Sequence, residues 1–553
     1  MRRLLLAVSL IPSLAAAQDK KFVMEPGPRA PEESLKCIKT RPGFKVELMA
    51  CEPAVQSPIA FAFGGDGKLW VVEMGDYPLG TPGKKGGGRV KVLEKTRPDG
   101  LYDKATVFVD NLAFPTGVFP WKDGVLITCA PDILYAAPDK KTGKVQVHKL
   151  FSGFREGNQQ HRVNGLTWGL DNWIYGANGD SGGSITSSEI PVPVNINGRD
   201  FRIHPESGTI EAVSGQTQFG RCRDDWGNWF GCNNSNPMYH FVLEDRYLKR
   251  NPTLLFTDVR SNVSDTPGAA EVFPISKPLP RFNTPTALNH FTSACSVMIY
   301  RDDLFGPAFD GNSFVCEPVH NLIHREIMRP DGLTFRSKRA DDEKKSEFLA
   351  SSDNWFRPTM IQTGPDGAIW VTDMYRYVIE HPEWIPKEWQ AKLDLRAGHD
   401  LGRIYRIYPE DKKPRPIPNL AKLRAKELVA ALDSPSGWQR DTAHRLIVER
   451  DDEATTAPLE WMIAKGKLGQ ARLHALAALH GMRQIRPSLI EEALRDKHPG
   501  VRKHAVFCLE QQPNAMIVAE AKRLLDDPEP LVQLQVAYTL GEARHWSAAR
   551  LLT

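Results

Sequence analysis

Along the first three quarters of the chain, short apolar runs alternate with tight polar turns, and in the last quarter the apolar positions change to helical spacing. One unit keeps returning in the first part. It is an apolar run, a turn built on Asp-Gly or Asp-Asn, and a second run rich in Trp, Val, Ile or Tyr that ends in acidic or amide residues, a pattern that predicts a β-hairpin. It occurs at 57–78, 114–132, 161–180, 218–237, more loosely at 294–321, and at 357–377. Six returns at intervals of about fifty residues or more predict six four-stranded blades, with insertions absorbed between them. The expected fold is an all-β six-bladed β-propeller over 44–409.

Past the propeller, the Pro-rich stretch 410–420 reads as a linker. Residues 421–553 then show apolar helical runs broken by Leu432-Asp433-Ser434-Pro435, by 494–499 and by Leu525-Asp526-Asp527-Pro528. Breaks near thirty residues or twice that predict an all-α domain of HEAT-like helical repeats, whose inner helices bury their apolar faces by stacking. Such arrays dock proteins or brace a neighbouring domain.

At the other end, Met1-Arg2-Arg3, an apolar run at 4–14 and Ala15-Ala16-Ala17 have the three parts of a secretory signal peptide at 1–17, followed by an extension at 18–43. The expected location is therefore periplasmic or secreted, and no later run is long and apolar enough for a transmembrane helix. Charge adds little: 71 Lys and Arg against 67 Asp and Glu, with no basic stripe, give no reason to expect nucleic acid as a partner. Export allows disulfides among the eight cysteines. Cys222 and Cys232 flank one hairpin turn and are equally readable as a bridge or as two buried thiols. There is no C-x-x-C-H, so the chain has no c-type haem attachment site.

A propeller gathers the ends of corresponding strands around its channel. That phase places Glu73, Asp76, Asp132, Asn178, Asp180, Asn233, Asn234, Glu317, His320, Asp373, Tyr375 and Arg376 around one mouth. A funnel of carboxylates and amides suits a polyhydroxylated small molecule, a cation or a polar cofactor. His161 opens the third unit and is the candidate catalytic base. Its bland reading is a histidine hydrogen-bonded within a polar loop. Glu317, His320 and His324 read as hydrogen-bonding residues ahead of metal ligands, and Trp70, Trp370 and Tyr175 as blade packing.

The motifs GKLWVVEMGDYP, FPTGV, CAPDI, NQQHRVNGLTWGLDNWIYGANGDSGG, PTMIQTGPDGAIWVTDMYRYVIEHP and GRIYRI, with the helical repeats, resemble exported bacterial proteins named as membrane-bound dehydrogenases, common in planctomycetes and verrucomicrobia. More distantly the chain is similar to soluble glucose and aldose sugar dehydrogenases that use pyrroloquinoline quinone. The resemblance implies a quinoprotein-like dehydrogenase acting on a sugar or related alcohol, with His161 as general base. It also implies an external electron acceptor such as a cytochrome c. Asn164, Asp180, Arg376 and Arg221 would then face cofactor, and Glu73, Asp76, Asn178, Asn233, Asp373 and Tyr375 substrate. The base takes the hydroxyl proton while hydride leaves the adjacent carbon for the quinone. The chain departs from the quinoprotein pattern at Gln216-Thr217-Gln218-Phe219-Gly220, where an Arg and Asn are expected before the Gly and Arg221 and Arg223 lie beyond it. The resemblance brings calcium with the quinone, yet the comparable turns lack its acidic ligands. The alternative is a non-catalytic propeller that binds glycan or protein, with the helical repeats as a docking surface.

Overall fold

The computed structural model describes residues 26–552 except 84, 99, 191, 252, 255–257, 267 and 279–287. The signal peptide expected at 1–17 lies outside the described residues. Each of the six hairpin units forms the two inner strands of one antiparallel sheet, and the six sheets close into a ring. The pairs are Pro58–Phe63 with Leu69–Met74, Gly117–Trp121 with Gly124–Cys129, and Asn164–Trp168 with Ile174–Ala177. They continue as Cys222–Arg223 with Trp229–Asn233, Cys295–Ile299 with Ser313–Glu317, and Pro358–Thr363 with Ile369–Asp373. The protein is a six-bladed β-propeller.

The ring closes through the beginning of the chain. Phe44–Cys51 runs antiparallel to Arg403–Pro409, from Phe44 opposite Pro409 to Cys51 opposite Arg403, and so supplies the outer strand of the sixth blade. Ile38–Thr40 pairs with Leu349–Ser351 at the edge of the fifth. The end of the segment expected as an extension thus belongs to the propeller, because three residues are too few for a strand to announce itself by alternation. Between blades the core is aromatic. Phe44 packs against Phe305, Phe309 and Phe348, and fully buried Trp370 meets Phe63 edge to face at 5.0 Å.

The last quarter is helical. Its inner helices are Gly437–Arg450, Gly469–Gly481, Pro499–Cys508 and Pro530–Glu542, stacked in order with outer helices between them. A ladder ties the repeats together: Arg472 binds the Asp496 carboxylate at 2.6 Å, and Arg502 binds Asp527 at 2.8 Å one repeat later. The corresponding Arg440 turns to the propeller instead, where Asp225 of the fourth blade receives it at 2.6 Å.

That exchange belongs to a wider seam. Helix Gly437–Arg450 lies across the propeller end where the hairpin turns gather, and its Trp438, Asp441, Thr442 and Arg445 line a chamber of about 210 Å³ with the inner strands. Asn172 donates to the Ala477 carbonyl, Trp226 stacks on His498 at 3.7 Å, and Tyr247 stacks on Tyr538 at 4.1 Å. The linker lies along the same face, with Arg415 paired to Asp302 and Asp303. The helical array therefore covers one end of the channel and leaves the other uncovered.

Candidate functional site

The uncovered end holds a cavity of about 500 Å³. Ile59, Met74, Val319, Met374 and Ile379 supply its apolar lining, and Gln159, Gln160, Gln218, Asn234, Thr292 and Ser293 its polar one. Arg162 and Trp384 also line it. An apolar cavity with a few converging amides and hydroxyls is the usual form of a small-molecule site.

His161 stands at the rim beside this cavity, on a one-turn helix spanning Gln159–His161 that Asn158 caps by accepting from the Gln160 N–H at 2.9 Å. Its side chain is 24% exposed. Two neighbours fix the ring. The Asn234 N–H donates to Oε1 of Gln218 at 2.9 Å, so the Gln218 amide must present Nε2 both to Oδ1 of Asn234, at 2.9 Å, and to Nε2 of His161, at 3.0 Å. His161 Nε2 is therefore the lone-pair nitrogen and Nδ1 carries the proton, facing Oδ2 of Asp180 at 3.7 Å. Burial lowers the His161 pKa, and the Asp180 and Glu383 charges oppose that shift more weakly. The result is a neutral imidazole with its basic nitrogen toward the cavity wall, the state a general base needs.

The backbone is shaped to hold this pair. Asn164 donates from Nδ2 to the carbonyls of Arg162 and Gln218, both at 2.8 Å, and its Oδ1 accepts from the Gly220 N–H at 2.9 Å. The wholly buried Asn164 thus pins the loop of His161 to the loop of Gln218 and faces no cavity. Gly179 has φ +72°, and a Cβ there would lie 2.1 Å from the Arg162 carbonyl, so only glycine lets the Asp180 loop pass so close.

The remaining expected site residues are at this mouth but inside its wall. Glu73 accepts from the Gln56 N–H and pairs with Arg89 and Lys91. Asp76 accepts from Gly87 and Phe114, Glu317 from Thr292 and Ser293, and Asp373 from Arg357 and Tyr375. In three blades, then, the carboxylate ending the second strand latches the backbone leading into the first. The repeating acid that sequence phase placed around a funnel is engaged by the fold itself, through one oxygen at Asp373, whose Oδ2 is left without a hydrogen-bond partner. Asn178 donates to the carbonyls of Ile196 and Arg199, Asn233 accepts from Ser235 and Asn236, and Asp132 binds Ser152 and Lys149. The Tyr375 hydroxyl donates to Asp353, and His320 bonds to Glu317.

Neither expected cation lines the cavity. Arg221 pairs with Asp200 at 2.7 Å beneath Tyr175, Trp229 and Phe241, and Arg376 holds Ser57 Oγ at 2.9 Å with no exposure. Sequence reasoning missed Arg162, which is 6% exposed and lies over Phe114, with Nε and Nη1 lacking a protein partner. It also missed Gln218, although the departure at 216–220 had marked that segment. Cys222 lies opposite Phe230 in its strand pair, and both it and Cys232 are thiols.

Among the described residues, no three His, Cys, Asp or Glu side chains converge to hold a metal ion. For a quinone, the buried guanidinium of Arg162 fits one carboxylate, since an unpaired cation beside a cavity is costly without an anion.

Fold and site define a six-bladed propeller with a cavity at one mouth, His161 beside it, and a helical repeat array across the other end. Over residues 30–411 the chain matches, and belongs to, the family described as a domain of unknown function, DUF7133. Residues 486–553 match HEAT repeats. No curated protein matches the chain. Among solved structures, a glucose dehydrogenase is 14% identical with a TM-score of 0.37, covering 66% of this chain and 98% of its own. The aldose sugar dehydrogenase of Streptomyces coelicolor, in its PQQ-bound form, is 13% identical with a TM-score of 0.33, covering 67% and 100%. Virginiamycin B lyase of Staphylococcus aureus is 12% identical with a TM-score of 0.31, covering 66% and 99%. Their chemistries differ, so shared shape selects none of them.

Proposed function

We propose that the protein is an exported, quinoprotein-like dehydrogenase that oxidises a sugar or related alcohol at the uncovered mouth, with His161 as general base. The observation that carries this reading is the His161 ring itself: neutral, held by Gln218 at Nε2 and faced by Asp180 at Nδ1, beside a cavity of small-ligand size. Removal of a hydroxyl proton at Nε2 leaves an imidazolium that the Asp180 carboxylate stabilises. As the substrate hydroxyl approaches, Gln218 gives up its bond to His161 and keeps Asn234. A bound quinone would supply the hydride acceptor, and Arg162 with Nδ2 of Asn234 would hold its acidic and carbonyl groups. Electrons then leave to an external acceptor such as a cytochrome c.

The second reading is a propeller that binds glycan or protein without redox chemistry. It is favoured by Arg221 and Arg376, whose guanidinium groups are engaged inside the wall by Asp200 and by the Ser57 hydroxyl. The two part in one experiment. The mature chain is titrated with pyrroloquinoline quinone by absorbance and assayed by dye-linked oxidation against sugars and alcohols, with His161→Ala and Arg162→Met alongside. The dehydrogenase reading expects quinone binding lost in Arg162→Met, and turnover lost in His161→Ala with binding intact. Neither binding nor turnover in the wild type selects the second reading.

A further inference from the structure

Trp384 is half exposed, and among the described residues it is the only large exposed apolar side chain that also lines the 500 Å³ cavity. An exposed indole is ordinary by itself, as Trp461 and Trp546 show, but one at the lip of a cavity presents an apolar face to whatever enters. Its place is fixed from two sides. It ends the short turn Pro382–Trp384, and that turn is tied to the loop bearing His161 by His381 Nε2 with Gln159 Oε1 at 2.7 Å and by Asn158 Nδ2 donating to Glu383 Oε2 at 2.9 Å. The turn that carries the indole is thereby held next to the segment that carries the base, so its backbone needs little further ordering by a ligand.

The surroundings say what that ligand is. Behind Trp384 the wall offers Nε2 of Gln159 and Oε1 of Gln160 beside the charged groups of Arg162 and Glu380, donors and acceptors suited to hydroxyl groups. A sugar ring has both characters: hydroxyls at its edge and an apolar C–H face that lies flat on an aromatic ring. A ring deep in the cavity uses the amides and leaves the outward half of the indole bare. We propose that Trp384 is the stacking platform for a second pyranose ring, and that the ligand of this mouth is an oligosaccharide whose terminal ring enters the cavity. The inference rests on the reading of this mouth as a site for hydroxyl-bearing ligands. Trp384 acts as a specificity residue and takes no part in proton transfer.

The test is calorimetric titration of the full mature chain with α- and β-linked gluco-oligosaccharides of one to four rings, for wild type, Trp384→Ala, Trp384→Phe and His161→Ala. In the wild type, affinity should rise by roughly two- to tenfold from one ring to two, the scale of one aromatic contact. Trp384→Ala should erase that step while leaving the single-ring affinity in place, and Trp384→Phe should keep most of it. His161→Ala should keep the step and lose turnover. If it keeps turnover as well, the catalytic reading falls and the platform stands. The platform is overturned by a wild type that binds no oligosaccharide of the panel, by one that binds two rings no better than one, or by a step that survives in Trp384→Ala.

Discussion

The side-chain amide of Gln218 lies 3.0 Å from Nε2 of His161 and is held there by the Asn234 N–H at its other end. A donor on that lone pair favours the neutral imidazole and works in the same direction as burial. Gln218→Ala should therefore raise the His161 pKa toward its ordinary value near 6.5. Titration of the His161 ring protons by NMR reads this without any assay. An unchanged or lower value would show that the amide does not control the ring.

Asp180 acts in the opposite sense. Its charge raises the His161 pKa against the larger effect of burial, from Oδ2 at 3.7 Å from Nδ1. Asp180→Asn should lower that pKa further and leave Nδ1–H with a neutral partner. If His161 is the base, the rate in wild type rises with pH through an inflection below 6.5, and the variant moves that inflection to still lower pH while reducing the plateau by roughly 10²-fold or more. A pH–rate profile that shifts upward in Asp180→Asn contradicts the assignment.

At the covered end, Asp441 binds Arg223 at 2.6 Å and Arg301 at 2.7 Å, while Asp225 binds Arg301 and Arg440, both at 2.6 Å. The paired guanidiniums hold the Asp225 carboxyl down at about 2 and the Asp441 carboxyl well below the usual range. Asp441→Ala leaves Arg223 buried without its carboxylate, a defect of about 3–5 kcal/mol. Thermal unfolding should show the helical array separating from the propeller at lower temperature. Limited proteolysis should cut within 410–420, which the wild type protects through Arg415. A single undisturbed transition in the variant would mean that aromatic contacts such as Trp226 on His498 carry the seam alone.

Most of the architecture was legible because a propeller writes its period into the chain. All six hairpin units became inner strand pairs, since a buried apolar strand, an Asp-Gly turn and a second apolar strand have few other ways to fold. The closing strand at Phe44–Cys51 sits where the expected boundary fell, but Ile38–Thr40 was too short to see. The site was less legible for a definite reason. Phase places a side chain near the mouth without saying whether a backbone N–H claims it first. Glu73, Glu317 and Asp373 share a phase because they share a latch. Gln218 and Arg162 come from loops, where no period marks a functional residue.

The latch at Asp373 carries a pH signature. Burial raises its carboxyl to about 7 from an ordinary 3.8, and Oδ2 has no hydrogen-bond partner while Oδ1 accepts from Arg357 and Tyr375. The folded state thus holds a proton that the unfolded chain has already released between these two values. Stability is greatest below the unfolded pKa, falls as pH rises from about 4 to about 7, and is flat above, a total on the order of a few kcal/mol. Asp373→Asn keeps the Oδ1 acceptor and removes the titration, while Arg403 retains Glu52 at 2.8 Å. The melting temperature of the variant relative to wild type should therefore climb between pH 5 and pH 7 and level off beyond. A difference that is constant with pH, or that shrinks as pH rises, means that Asp373 is ionised in the fold and that Arg403 outweighs its burial.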